Sequence, residues 1–182
     1  MNLLKAAFLS AFTLFATSAF ASQWTVDTIN SKVSFTFVQN GASSTGSFNM
    51  WNAAIVFDPA APENAKIEAT IQTGSADTGN AQTDITLAEQ AWFDINTYPD
   101  AVFTSSEVKA LGGDKYEANG NLALRGVSVP VVLPFTLKID GDTATAKGKI
   151  TLDRTNFGIG NGTPESTVAN GVIVEVDVIA TR

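Results

Sequence analysis

The sequence predicts an all-β domain, an antiparallel barrel of about eight strands with one short helix. Three observations predict it. Apolar residues recur at every second position in segment after segment, turns rich in Gly and Asp separate several of those segments, and one stretch alone carries helical spacing.

The chain opens on residues that stand apart from this pattern. Lys5, the apolar stretch Ala6–Ala16 and the closing Ala19-Phe20-Ala21 read as a secretory signal peptide over residues 1–21, with an A-x-A cleavage site. A membrane-anchoring helix is the rival reading, but the apolar run is shorter than the roughly 20 residues a bilayer span needs. No Cys follows the run, which excludes a lipoprotein anchor. The expected product is residues 22–182, exported and periplasmic. Loss of Lys5 takes the formal net charge from −7 to −8.

Strands follow in order. Val33, Phe35 and Phe37 alternate with Ser34 and Thr36; Ala53, Ile55 and Phe57 form a second run; Ile67, Ala69 and Ile71 form a third. Thr83–Phe93 breaks the alternation, because Leu87, Ala88, Ala91 and Trp92 suit one face of a short helix. Thr86 and Glu89 offer a T-x-x-E capping box there, with Asp84 an alternative cap. Two segments, near Val102–Val108 and Tyr116–Leu124, flank the turn Gly112-Gly113-Asp114. The longest alternation runs from Val127 to Ile139, with seven odd positions apolar and Pro130 and Pro134 on the other face. Proline donates no ladder hydrogen bond, so this strand is expected to lie at a sheet edge or to bend. Asp140-Gly141-Asp142 turns the chain into Ala144–Leu152, and Val172, Val174, Val176 and Val178 make the last strand. Between them lies the longest polar loop, Gly158–Asn170. One helix among about eight such strands is the content of a small closed barrel with a lid or plug. The alternative, an immunoglobulin-like sandwich, lacks its Cys and Trp core here. No linker or repeat divides the chain, so one domain is expected.

Composition narrows the chemistry. With no Cys and no His among 182 residues, there is no thiolate nucleophile, no imidazole base and no Cys or His zinc site. Eighteen Asp and Glu against 11 Lys and Arg make a poor partner for nucleic acid. Asp140-Gly141-Asp142 reads as a hairpin turn rather than a cation site, and Gly158-x-Gly160-x-Gly162 as loop glycine rather than a dinucleotide motif. G-x-S-x-G does not occur. The expectation is a protein without catalytic residues, resident metal or cofactor. What is left is the lining. A barrel of about eight strands is either filled by its side chains or holds one small ligand, and inward-facing Phe35, Phe37, Phe57 and Phe135 serve either state.

Five stretches then fall in register with one family. They are Ser75-Ala76-Asp77-Thr78-Gly79-Asn80 with Asp84 and Leu87; Trp92-Phe93-Asp94; Tyr98-Pro99-Asp100-Ala101-Val102-Phe103-Thr104-Ser105; Gly120-Asn121-Leu122-Ala123-Leu124-Arg125-Gly126-Val127 with Pro130-Val131; and Asp153-Arg154-Thr155-Asn156-Phe157-Gly158-Ile159-Gly160. Across nearly the whole of 22–182 the chain resembles the YceI-like proteins, exported lipocalin-like barrels that bind polyisoprenoids and other long apolar lipids. The resemblance implies a carrier whose bound molecule is a polyisoprenoid or quinone lipid. Phe35, Phe37, Trp92, Phe93, Phe103, Phe135 and Phe157 are the expected apolar lining, and Asp84, Arg125 and Arg154 the expected groups near a head group. For the two arginines, pairing with acidic neighbours is the competing role.

Burial contributes about 0.8 kcal/mol per CH₂ while association costs roughly 4 kcal/mol or more, so a chain of ~30 carbons or more is expected to suit the barrel best. Two further readings stay open. One is a quinone-handling accessory that meets a membrane or a membrane redox protein transiently; the other is a stress-response structural module with a filled interior. Oligomeric state is left open by the sequence. The chain also departs from the family pattern: Asn30 and Thr86 stand where relatives commonly carry His, and Thr83 where they carry Arg.

Overall fold

The computed structural model describes residues 22–182, so the expected export signal, residues 1–21, lies outside the described residues. Eleven β segments form one continuous antiparallel sheet. Six of them are halves of three bent strands: β1 (Ser22–Val26) with β2 (Lys32–Gln39), β3 (Ala42–Phe48) with β4 (Trp51–Phe57), and β5 (Lys66–Gln72) with β6 (Ala76–Asp77). In one half of the molecule β1, β4 and β5 are neighbours, and in the other β2, β3 and β6. Five unbroken strands complete the set: β7 (Asp100–Gly112), β8 (Lys115–Leu124), β9 (Val127–Asp140), β10 (Thr143–Asp153) and β11 (Gly171–Thr181). β11 pairs with β1 at Thr25↔Thr181 and with β2 from Ile173↔Thr36 to Asp177↔Lys32, which closes the barrel. Counted as full-length strands there are eight, in up-and-down order, as the alternation predicts.

Turn chemistry sets the register. Asn40 and Gly41 both have positive φ (50° and 79°), the geometry of a two-residue hairpin turn, and they join β2 to β3. The β8–β9 turn uses Arg125 and Gly126 in the same way, at 51° and 73°. β3 (ASSTGSF) has no apolar alternation to announce it and is largely exposed. It is a strand because β2 pairs with it from Val33↔Phe48 to Gln39↔Ala42.

The prolines of β9 act as the sequence suggests. The Leu137 N–H donates to Asp114 O on the β8 side, so odd residues of β9 bond towards β8 and even residues face β10. Pro134 therefore has no donor for β10. The β9–β10 ladder runs from Thr143↔Asp140 and stops at Gly148↔Phe135, one pair short of that proline, whereas β8 follows β9 all the way to Leu124↔Val127. Upper β9 is thus an edge inside an otherwise closed wall.

The helix is shifted from the expected Thr83–Phe93. It is α1, Ala81–Ala88, and Asn80 caps it by accepting from the N–H groups of Gln82 and Thr83. The Thr86–Glu89 capping box does not form: the Thr86 hydroxyl donates to Gln82 O inside the last turn, and Glu89 follows the helix end. A local T-x-x-E pattern lost to an Asn placed six residues earlier, where the chain leaves β6.

The interior has two distinct halves. At the lower end, where β1 begins and β9 turns into β10, Trp24, Phe57, Val108, Ala118 and Ala144 form a packed core. Trp24 Nε1 donates to Phe57 O at 3.1 Å within it. The upper end carries α1 and the 154–170 loop around a smaller cluster of Phe93, Phe157 and Ile159.

Candidate functional site

Between the upper cluster and the lower core lies a cavity of about 280 Å³. One wall is an aromatic file from β2 and β3 to the segment after α1. The rings of Phe37 and Phe35 are 6.0 Å apart, Phe35 and Phe48 are 5.1 Å apart, and Phe48 and Phe93 are 6.0 Å apart. Gly46 makes room for this wall, since a Cβ there would stand 2.5 Å from the Phe35 ring. Aliphatic side chains of β8, β10 and β11 face it: Leu122, Leu124, Leu152, Val172 and Val174. The roof is Leu87 of α1 with Trp92, Phe93, Phe157 and Ile159.

Of the seven apolar side chains singled out in the sequence, Phe35, Phe37, Trp92, Phe93 and Phe157 therefore meet at this cavity. Phe103 and Phe135 do not. Both pack against the lower core, where Phe135 stacks on Tyr116 at 5.5 Å and the Phe103 ring covers Gly120. Alternation shows which residues point inward, but height along the barrel axis depends on the stagger between strands.

The polar residues have specific duties. Arg154, 3% exposed, spends all five N–H groups on backbone carbonyls of the loop that follows it. Nε donates to Ala169 O (3.2 Å), one terminal nitrogen to Ile159 O and Gly160 O (2.7 and 3.0 Å), and the other to Thr163 O and Val168 O (both 3.0 Å). It braces the structure through carbonyls, not through the acidic neighbours expected of it, and among the described residues no carboxylate forms an ion pair with it. Its guanidinium also lies 5.9 Å from the centre of the Trp92 ring. Arg125 likewise takes a carbonyl, with Nη2 donating to Gln90 O at 2.9 Å, and it is not part of the cavity lining. Asp84 accepts from the Thr78 N–H (2.9 Å) and hydroxyl (2.7 Å), tying α1 to the end of β6. The Gly160 N–H donates to Ala91 O at 2.7 Å, so helix segment and loop are joined across the roof.

Thr83 and Thr86, which the sequence marks as departures from the family pattern, reach the cavity, as do Gln39 and Gln82, which it does not single out. Among the described residues no group of three or more Asp or Glu side chains is placed to hold a metal ion. The lining is apolar apart from Arg154 and a few neutral polar side chains.

The sequence profile of the YceI-like domain matches residues 24–180. The chain belongs to the YceI-like family. A UPF0312 protein of Pectobacterium atrosepticum is 41% identical over 97 residues, which are 53% of this chain and 50% of that one. A UPF0312 protein of Pseudomonas savastanoi is 33% identical over 127 residues, 66% of each chain. The match thus spans half to two thirds of these curated relatives. Among solved structures, Burkholderia cenocepacia BcnA superposes with a TM-score of 0.83 at 34% identity, covering 86% of this chain and 99% of that one. A polyisoprenoid binding domain from Saccharophagus degradans shares the fold, with a TM-score of 0.70 at 14% identity over 88% of this chain and 98% of the domain. This YceI-like chain thus has the family barrel, with the apolar cavity in its upper half and a packed core in its lower half.

Proposed function

We propose that this YceI-like protein is a non-enzymatic carrier that takes an elongated apolar lipid of isoprenoid type into the upper half of its barrel. The observation that carries the reading is the cavity of about 280 Å³ under α1, walled by a file of aromatic rings and by leucines and valines, with a single charged side chain in its lining. Apolar surface of that kind, held open inside a barrel, gains about 25 cal/mol for each Å² it shares with a ligand instead of water. The polyisoprenoid-binding domain noted above lends support at the level of fold.

Size sets a limit. Ligand cavities usually run from about 300 to 1,000 Å³, so 280 Å³ is at the lower edge. A chain of thirty carbons would be enclosed only in part, because the packed lower core blocks the way down. The bound end occupies the barrel and the remainder leaves through the mouth. Export to the periplasm belongs to the same proposal and rests on residues 1–21.

Extraction of the purified protein with organic solvent, followed by mass spectrometry, tests the reading. An isoprenoid or quinone lipid in stoichiometric amount is the expected result. A protein that carries none, and that takes up neither isoprenoid nor quinone probes, would overturn it.

A further inference from the structure

We infer that the cavity selects apolar chains ending in an uncharged hydrogen-bonding group, such as a hydroxyl, carbonyl or amide, over chains ending in a carboxylate or phosphate. The inference rests on the lipid-binding reading above and concerns which end group that site accepts.

Its first support is an inventory of what the lining can offer. Arg154 is the single charged residue there, and each of its five N–H groups already meets a carbonyl oxygen 2.7 to 3.2 Å away. Those five oxygens also turn the negative ends of their dipoles towards the guanidinium. An anion entering the cavity would find the charge shielded and no donor free. Thr73 is committed as well, since its hydroxyl donates to the carbonyls of Tyr98 and Pro99. The Thr86 hydroxyl donates to Gln82 O.

What remains uncommitted is neutral. The side chains of Gln39, Gln82 and Thr83 line the mouth and take no partner among the described residues. Two amides and a hydroxyl both donate and accept, which suits an alcohol, ketone or amide equally. Gln39 and Gln82 are exposed and Thr83 is half-buried, so a carboxylate or phosphate there meets water and three neutral groups but none of the charge-assisted donors that would make it preferred.

The surroundings act in the same direction. From residue 73 to residue 100, the stretch that builds the cap, there are five carboxylates (Asp77, Asp84, Glu89, Asp94 and Asp100) and no Lys or Arg. The positive end of α1 is already occupied, by the Asn80 side chain and by Asp84 in the first turn. Arg125, the other nearby cation, lies outside the lining with Nη2 on Gln90 O.

The test compares two probes with one chain, geranylgeraniol and geranylgeranyl monophosphate, titrated into the purified protein and followed by calorimetry. The alcohol is expected to bind at least ten times more tightly, and Thr83→Arg is expected to close that gap by improving the phosphate. Equal or tighter binding of the phosphate by the native protein would overturn the inference while leaving the lipid-binding reading standing. Binding of neither probe would overturn both. Should Thr83→Arg fail to fold, Thr83→Val keeps the bulk and removes the hydroxyl. It should weaken the alcohol several-fold without changing the affinity for a hydrocarbon of the same length, and an unchanged alcohol affinity would count against the role given to Thr83.

Discussion

At the scale of single residues, Arg154 has the largest consequence. A guanidinium that satisfies five carbonyls holds the 154–170 loop against the roof of the cavity. Lysine has three donors, so Arg154→Lys leaves at least two of those carbonyls without a partner, each at a cost of about 1–3 kcal/mol. Urea unfolding should show a loss of about 2–6 kcal/mol, and limited proteolysis should cut first between residues 155 and 169. A loop that stays resistant would mean that Arg154 does not organise it. The residue before it makes a pH prediction. The Thr155 hydroxyl and then the Thr155 N–H, both donating to Asp153, hold its carboxyl below the ordinary value. A lowered folded-state pKa contributes stability that is present above the unfolded value of about 3.9 and is lost as pH falls through the folded one. Asp153→Asn should therefore lower the urea midpoint at neutral pH and converge with the native protein as pH falls through the lowered folded-state value. Curves that stay parallel throughout would deny the carboxylate that role. Nothing in the sequence announces the five-carbonyl cage, because every partner is backbone. The nearest signal is the run of glycines after it, and Gly158, Gly160 and Gly162 do adopt positive φ (67°, 63° and 85°) in a tightly turning loop.

Elements show what a pattern of residues can and cannot specify. Strands with one buried face were legible from alternation alone, and the proline pair in β9 correctly marked an edge, since a missing N–H is a property of the residue itself. β3 was not legible: its Ser, Thr and Gly residues carry no periodic signal, and its pairing with β2 comes from the Asn40-Gly41 turn. The helix was legible as a helix but not in its bounds, because two sets of polar residues competed for the cap. The Asn80 cap can be tested directly. Asn80→Ala removes acceptors for two N–H groups and should cost about 1 kcal/mol, with Gly or Asp at the same position costing much less. Thr86→Ala serves as the control, since the hydroxyl that suggested a capping box bonds only within the helix. A larger loss for Thr86→Ala than for Asn80→Ala in thermal unfolding would reverse the assignment.

The whole molecule divides into a lower half that supplies stability and an upper half that is left hollow. Aromatic content alone does not distinguish the two, since Phe135 and Phe35 are both inward-facing residues on alternating strands. What separates them is height: Phe135 stacks on Tyr116 beside the lower core, whereas Phe35 meets Gly46 and the cavity. A floor of packed side chains makes the depth of the site finite, and that has a measurable signature. In a series of primary alcohols of increasing length, each CH₂ that enters the cavity adds about 0.8 kcal/mol, or close to fourfold in affinity. Once the cavity is full, further CH₂ groups stay in the mouth and add little. Affinity should therefore rise steeply and then level off well before thirty carbons. Phe35→Ala, which enlarges the cavity, should move the plateau to longer chains. Phe135→Ala should lower stability by about 1–3 kcal/mol, since the ring is only partly buried, and leave the plateau where it was. A steep rise that continues past twenty carbons would require the barrel wall to part. The place for that is between upper β9 and β10, where the ladder has already ended at Phe135 and Gly148.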